Sequence, residues 1–385
     1  MPPSEQSTSA PVANDDDVVA LTAALARIDS INPTLVPGAP GERDVADFVA
    51  DWGAVRGFEV HRSDAAPGRP NVVLIRRGSG GGRSLLFNGH MDTVGTRGAH
   101  TKDVFEQDGR LHGRGVLDTK GGLAAAMIAA ASFADGRLRG DLIVAAVADE
   151  EGGCVGTEAL VKDWLPDAAV VLEPTDLTVI PRHRGFAVID VQLRGKPAHT
   201  SRADRGANAV HASAAVTSAV QAVDTRWSTS HDDPVERPTT LVNRITSSGE
   251  LFTVPSVCEM IVELRTTGEF PHLQVQEVIE AIRAASPLVT ECTVVMDRRP
   301  LAQHDEHPLV AAIQRAAVET GGHADLAVAP YWTDAALHSG AGTPAVVYGP
   351  TGEGLHEDEE WVTIESLHQC AATLRALAED WCGLS

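Results

Sequence analysis

Hydrophobic positions follow two regimes along this chain. Over VVALTAALARIDSI and GERDVADFVADWGAV they recur at intervals of three and four residues, which predicts two amphipathic helices. Short β-rich runs follow at NVVLIRR and SLLFNGH. TKGGLAAAMIAAASFA then reads as an Ala-rich helix, and DLIVAAVADE and DAAVVLEP as further strands. Strands that are apolar at nearly every position are buried on both faces. Their alternation with helices predicts a largely parallel sheet in an α/β domain.

Near His183 the pattern changes. GFAVIDVQLRG, TTLVNRITSSG and VCEMIVELRTT alternate apolar and polar residues, ANAVHASAAVTSAV and LQVQEVIEAIRAA have helical spacing, and CTVVMD is a strand. Strand, helix, two strands, helix, strand is the order of a small ferredoxin-like α+β sandwich with one half-solvated antiparallel sheet. From HPLVAAIQRAAVET the first regime returns, with TPAVVYGP as a buried strand and ESLHQCAATLRALAEDW as the closing helix. At 385 residues the chain exceeds what one core usually serves. The expected architecture is therefore a larger α/β domain over residues 17–182 and 298–385, with a mainly parallel mixed sheet flanked by helices. An α+β domain over 183–297 interrupts it, and a disordered tail occupies 1–16.

Composition narrows the partners. A net charge of −22 argues against nucleic acid and anionic membrane surfaces, which call for basic patches, and fits a site that gathers divalent cations. Five cysteines with no CxxC pair indicate neither a disulfide framework nor a zinc knuckle. No apolar run is long enough to span a bilayer. The stretch MPPSEQSTSAPVANDDD lacks the basic start and apolar middle of a secretory signal, so the cytoplasm is the expected compartment.

The candidate chemistry lies at strand ends. GHMDTV closes an apolar run with His90 and Asp92, two residues apart and so on one face of a strand. Alone, that pair reads equally as a histidine capped by a nearby aspartate. GRGVLDTKGG adds Asp118 before a helix, ADEEGG adds Glu150 and Glu151, LEPTD adds Glu173, and GPTGEGLHEDEEW adds His356. Carboxylates crowded at a dry sheet edge repel one another unless cations neutralise them. Two histidines and several carboxylates suit zinc, or manganese or cobalt, and they exceed the ligand set of one tetrahedral ion. Two ions sharing a carboxylate would use them all.

These five motifs, in this order, resemble those of the co-catalytic dizinc aminoacylase and exopeptidase family. Its members include acetylornithine deacetylase, succinyl-diaminopimelate desuccinylase, aminoacylase and glutamate-releasing carboxypeptidases. The resemblance runs from about the first helix to the last. It implies His90 and Glu173 as ligands of one zinc, Glu151 and His356 as ligands of the other, and Asp118 as the bridging carboxylate. It makes Asp92 the partner that orients His90 and Glu150 the general base; the alternative for Glu150 is a residue that supports the ligands or a weakly bound ligand. GKPAHTSRADRGANAV resembles a lid and dimerisation segment whose histidine, here His199, reaches a partner subunit's active site. Asn243 and Arg265 fall where that domain supplies groups for the substrate's carboxylate, although Arg265 also reads as a sheet-face arginine in an ion pair.

The implied activity is hydrolysis of the amide of a small N-acyl amino acid by a metal-bridged water, in a homodimer. A dipeptidase or carboxypeptidase is the alternative, and a binding protein of the same fold a third reading. His100, His112, His183, His304, His307 and His338 lie near these motifs without an assigned task, and Asp334 is expected to support the site structurally. Cys154 is expected as a small buried hydrophobe, and Asp358, Glu359 and Glu360 as a solvated turn.

Overall fold

A computed structural model describes residues 17–96, 103–230 and 235–385; the tail expected at 1–16 and His100 lie outside them. The first stretch forms α1 (Val18–Arg27), α2 (Arg43–Val55), β1 (Glu59–Ala66), β2 (Arg69–Arg76) and β3 (Leu85–His90). Next come β4 (Phe105–Gln107), β5 (Arg110–His112), α3 (Lys120–Ala131), β6 (Leu142–Val147), α4 (Val155–Asp163), β7 (Ala168–Val171) and β8 (Val179–His183). They are followed by β9 (Gly185–Arg194), α5 (Ala209–Ser230), β10 (Thr239–Thr246), β11 (Val257–Thr266), α6 (Pro271–Ala285), β12 (Val289–Arg298) and β13 (Leu301–Ala302). The chain closes with α7 (Pro308–Glu319), β14 (Leu326–Ala329), α8 (Ala335–Gly340), β15 (Ala345–Val347), β16 (Gly352–Glu353), β17 (Trp361–Thr363) and α9 (Ile364–Cys382).

The chain divides into two compact units. One comprises the described residues up to Val179, with Glu306–Asp325 and Val346–Ser385; the other comprises Ile180–Asp305 and Leu326–Ala345.

In the first unit the sheet runs β1-β2-β6-β3-β7 and continues to β15. β3 is parallel to both β6 and β7, whereas β2 is antiparallel to β1 and β6, so the sheet is mixed with a parallel centre. β3, β6 and β7 are buried at every position, as continuous apolar runs require. β1 carries no period-two signature because most of its residues are exposed. Its antiparallel register with β2, from Glu59 opposite Ile75, is what makes it a strand. Helix α3 is buried almost throughout, and two glycines let it approach the backbone closely. A side chain at Gly121 would come within 2.3 Å of the Val116 carbonyl oxygen, and one at Gly122 within 2.5 Å of that of Leu172. The helix is thereby seated against the loop that precedes Asp118 and the residue that precedes Glu173.

In the second unit β9 to β12 form a four-stranded sheet in the order β10-β11-β9-β12, with every pair antiparallel. That order, with α5 and α6 packed on the sheet, is the ferredoxin-like arrangement expected from the element sequence. β9 alternates buried and half-buried residues, and Ile189, Val191, Leu193, Val262 and Leu264 meet Val216, Val220, Val278 and Ile282 in its core. Among the described residues no helix is long and apolar enough to cross a membrane.

Candidate metal centre

Parallel pairing brings the strand ends together. His90 stands opposite Val147 and Asn88 opposite Val171, so β3, β6 and β7 finish along one edge of the sheet. That edge receives His90 itself, the turn Asp149–Glu150–Glu151 after β6, and Glu173 after β7. Asp118 arrives on the loop leading into α3, and its peptide to Thr119 is cis. His356 arrives on the loop between β16 and β17, at a left-handed φ of 60°.

Asp118 stands between the two imidazoles. Its Oδ1 is 2.9 Å from His90 Nε2, and its Oδ2 is 3.2 Å from His356 Nε2. Glu173 Oε1 lies 3.8 Å from the same His90 nitrogen, and Glu151 Oε2 lies 3.1 Å from the same His356 nitrogen. The donors form two groups that share Asp118: His90, Asp118 and Glu173, and Asp118, Glu151 and His356. All but His356 are largely buried, and the charges respond. Burial alone would deprotonate His90, but its hydrogen bonds to Asp118 and Asp92 hold its pKa well above the usual value. Hydrogen bonds to Asp118 and Glu151 lift His356 to about 10. Burial works against ionised Asp118, yet His356 and His90 hold its pKa well below the carboxylate range; Glu151 is pushed up, chiefly by burial.

Asp92 has more to do than aim His90. His90 Nδ1 makes its short contact, 2.9 Å, with the main-chain carbonyl of Asp92, and the Asp92 carboxylate is 3.5 Å away. That carboxylate accepts the main-chain N–H of Glu150 at 3.1 Å and of Glu151 at 3.2 Å, and the side-chain amide of Asn32 at 2.7 Å. The histidine and the turn bearing both glutamates are therefore fixed by one buried residue.

Glu360 is not part of a solvated turn. Asp358 and Glu359 are exposed as expected, but Glu360 is buried, and it accepts N–H groups from Arg114 at 2.6 Å and from Gly115, Leu117 and Asp118 at 2.9, 2.9 and 3.1 Å. Arg114 also donates to the Glu357 carbonyl. Four residues after His356, Glu360 thus ties the His356 loop to the loop that carries Asp118. A run of four acids resembles an exposed turn, and only the distant amides single one of them out.

His199, Asn243 and Arg265 lie in the second unit. His199 is exposed at the start of a 3₁₀ turn, where its Nδ1 accepts the N–H of Ser201 at 3.2 Å. Asn243 falls at an irregularity in the β10–β11 register and donates to Glu263 at 2.5 Å. Arg265 pairs with the same Glu263 at 2.8 Å and stands over the Phe186 ring. Three other histidines have local tasks: His307 caps α7, His112 stacks on Phe105, and His183 is buried against Thr333. Cys154 is buried and Asp334 is buried at the start of α8.

Residues 86–380 match the sequence profile of Peptidase family M20/M25/M40. The chain belongs to that family. It is similar to the acetylornithine deacetylase of Myxococcus xanthus, at 30% identity over 96% of this chain and 99% of the relative. It is also similar to the acetylornithine deacetylase of Proteus mirabilis, at 24% identity over 92% and 94%. In fold it is similar to the aminopeptidase PepT of Bacillus cereus, with a TM-score of 0.80 at 20% identity over 95% of this chain and 98% of that one.

For a member of the M20/M25/M40 family, the donor set tests well against divalent ions. Each imidazole faces carboxylates that share its proton, so removing that proton leaves a nitrogen and several oxygens converging with excess negative charge. Divalent cations satisfy that arrangement, and an all-N,O set without thiolate is one that Zn²⁺, Co²⁺ and Mn²⁺ accept.

Proposed function

We propose that the chain is a metal-dependent amidohydrolase that removes the acyl group from a small N-acyl amino acid, as the acetylornithine deacetylases it resembles are named for doing. The observation that carries this reading is the Asp118 carboxylate, with one oxygen toward His90 and the other toward His356. His90 and Glu173 would hold one ion, Glu151 and His356 a second, and Asp118 would serve both, with Zn²⁺ the favoured metal and Co²⁺ or Mn²⁺ as substitutes. Ions held there supply polarisation of the scissile carbonyl and a lowered pKa for the attacking water.

The chain's own residues do the rest. Glu150 takes a proton from the water as its oxygen bonds to the carbonyl carbon, then gives that proton to the amine nitrogen as the C–N bond breaks. The acyl group leaves as a carboxylate and the amino acid leaves with a free amino group. Asp92 keeps Glu150 in place through the main-chain N–H it accepts at 3.1 Å. His199 spends Nδ1 as an acceptor, which leaves its proton on Nε2, the form that donates to an oxyanion. We place that donor in the site of a second copy, in a homodimer paired through residues 183–297. Asn243 and Arg265 are assigned to the substrate carboxylate, which would take the place of Glu263 on both. A net charge of −22 supports an enzyme with no nucleic-acid or anionic-membrane partner, and the cytoplasm is the compartment proposed.

The test is kcat/KM for N-acetyl, N-formyl and N-succinyl amino acids against dipeptides, with Zn²⁺, Co²⁺ or Mn²⁺ supplied. The deacylase reading expects acylated amino acids to lead. Preference for dipeptides would transfer the assignment to a peptidase, and no hydrolysis with any metal would overturn it.

A further inference from the structure

Three buried carboxylates, Glu42, Asp92 and Asp149, are linked through Arg69 and Asn32. Arg69 grips Glu42 with two nitrogens at 2.8 and 2.5 Å, and its Nη2 also lies 2.9 Å from Asp149 Oδ1. Its Nη1 donates to the Thr34 hydroxyl at 3.0 Å, and that hydroxyl donates to Asp149 at 3.1 Å. A single nitrogen, Asn32 Nδ2, then bridges the two aspartates, 3.0 Å from Asp149 Oδ1 and 2.7 Å from Asp92 Oδ2. Asp149 holds its own turn closed by accepting the N–H of Gly153 on its carboxylate, and it adopts a left-handed φ of 68°.

The geometry points to Arg69 and Asn32 as positioning residues for the Glu150–Glu151 turn, an inference that rests on the metal-centre reading above. Like charges in a dry interior persist only with a compensating cation. Among the described residues Arg69 is the cation in contact with Asp149. Without it, Asp149 loses the guanidinium that holds it beside Glu42 and withdraws from its neighbours, and the amide that Asn32 shares between the two aspartates shifts with it. Asp92 is the other end of that amide, and it carries the main-chain N–H groups of Glu150 and Glu151. A displaced turn moves the general base and a metal ligand together. Neither Arg69 nor Asn32 touches substrate in this account; both act through Asp92.

The test uses the full chain with Zn²⁺ as the probe metal and compares wild type with Arg69→Gln, Arg69→Lys, Asn32→Ala and the Arg69→Gln/Asn32→Ala pair. Tm, kcat, KM and Zn²⁺ affinity by competition with a chromophoric chelator are read for each. Partners that orient ligands are commonly worth tenfold to a hundredfold in metal affinity or activity, so Arg69→Gln is expected to lose about tenfold in kcat and in affinity for one Zn²⁺, with KM little moved. Arg69→Lys keeps the charge but not the two-nitrogen grip on Glu42, and recovers part of the loss. The pair should lose little more than its worse single variant, because both act through one link. A lower Tm with wild-type kcat and Zn²⁺ affinity in folded Arg69→Gln would reduce Arg69 to a brace. Losses that multiply in the pair would also break the relay. Should Arg69→Gln fail to fold, Arg69→Lys and Asn32→Ala carry the same comparison. Wild type that binds no Zn²⁺ overturns the metal-centre reading and the relay with it, an outcome visible before any variant is measured.

Discussion

The carboxylate of Glu360 accepts the main-chain N–H of Asp118 at 3.1 Å. With the N–H groups of Gly115 and Leu117 and the Arg114 guanidinium, that bond holds the Asp118 carboxylate, common to both groups of donors, at a fixed distance from the His356 loop. Glu360→Gln keeps the shape but presents an amide N–H toward main-chain N–H groups and strips Arg114 of its buried counter-charge. It is expected to lower stability by about 3 kcal/mol and Zn²⁺ affinity by about tenfold or more. Adding Arg114→Met to that variant removes the orphaned charge, so Tm should recover in part while Zn²⁺ affinity stays low. Recovery of both would mean that the charge, not the hold on the Asp118 loop, is what Glu360 provides.

How far the sequence discloses this centre follows from the range of the interactions. His90 and Asp92 can be read together because they lie two residues apart, although β3 ends at His90 and the short contact is made by the Asp92 main-chain carbonyl rather than by a side chain on the same strand face. The ends of β6 and β7 can be added because continuous apolar runs imply parallel neighbours that finish at one edge. Glu360 is invisible at that level, since nothing local separates it from Asp358 and Glu359. The work of the Asp92 carboxylate is hidden too, because its acceptor bonds reach residues 58 and 59 positions away. β1 escapes for a different reason: polar on both faces, it is a strand only because β2 pairs with it.

Chelation separates the two adjacent glutamates. Metal-free protein should be inactive and should regain hydrolysis with Zn²⁺, Co²⁺ or Mn²⁺. Glu150→Ala should keep the Zn²⁺ content of wild type and lose about a hundredfold or more in kcat, the usual worth of a general base. Glu151→Ala should instead release or weaken one ion. Metal analysis of both variants decides the matter: if Glu150→Ala is the one that loses an ion, the two roles exchange.

Acid should destabilise the second unit through His183. Burial pushes this imidazole down to about 4, and its Nδ1 faces the Arg184 carbonyl at 3.0 Å while Nε2 faces the Thr333 hydroxyl at 3.1 Å. A carbonyl only accepts, so Nδ1 carries the proton and Nε2 accepts from Thr333 in the neutral ring. The unfolded chain takes up a second proton near the ordinary value of 6.5, which the folded ring refuses. Stability is therefore intact above about pH 6.5 and falls as pH drops, by at most about 1.4 kcal/mol per unit from this residue, until the folded value near 4 is passed. Buried His338, also pushed to about 4, adds a loss of the same sign. His183→Asn should flatten Tm against pH between 6.5 and 4, whatever its Tm at neutral pH. An unchanged slope would show that His183 does not control acid sensitivity.

His199 supplies the sharpest test of the dimer. Its side chain is exposed, yet its Nδ1 is committed to the Ser201 N–H, so the ring is oriented by the chain rather than left to solvent. The proposed role of this donor in a second copy is tested by mixing inactive chains. His199→Ala and Glu150→Ala should each be inactive as homodimers. Mixed and allowed to exchange subunits, they form a heterodimer in which one site has lost both groups and the other keeps both. Activity should return, reaching up to about a quarter of the wild-type value at equal mixing, because random exchange makes half the dimers mixed and one site in two is whole. Glu150→Ala mixed with a chain carrying both substitutions should recover nothing, which controls for activity that arises from mixing alone. If exchange is shown by a tagged chain and activity stays absent in the first mixture, His199 acts in its own subunit or not at all.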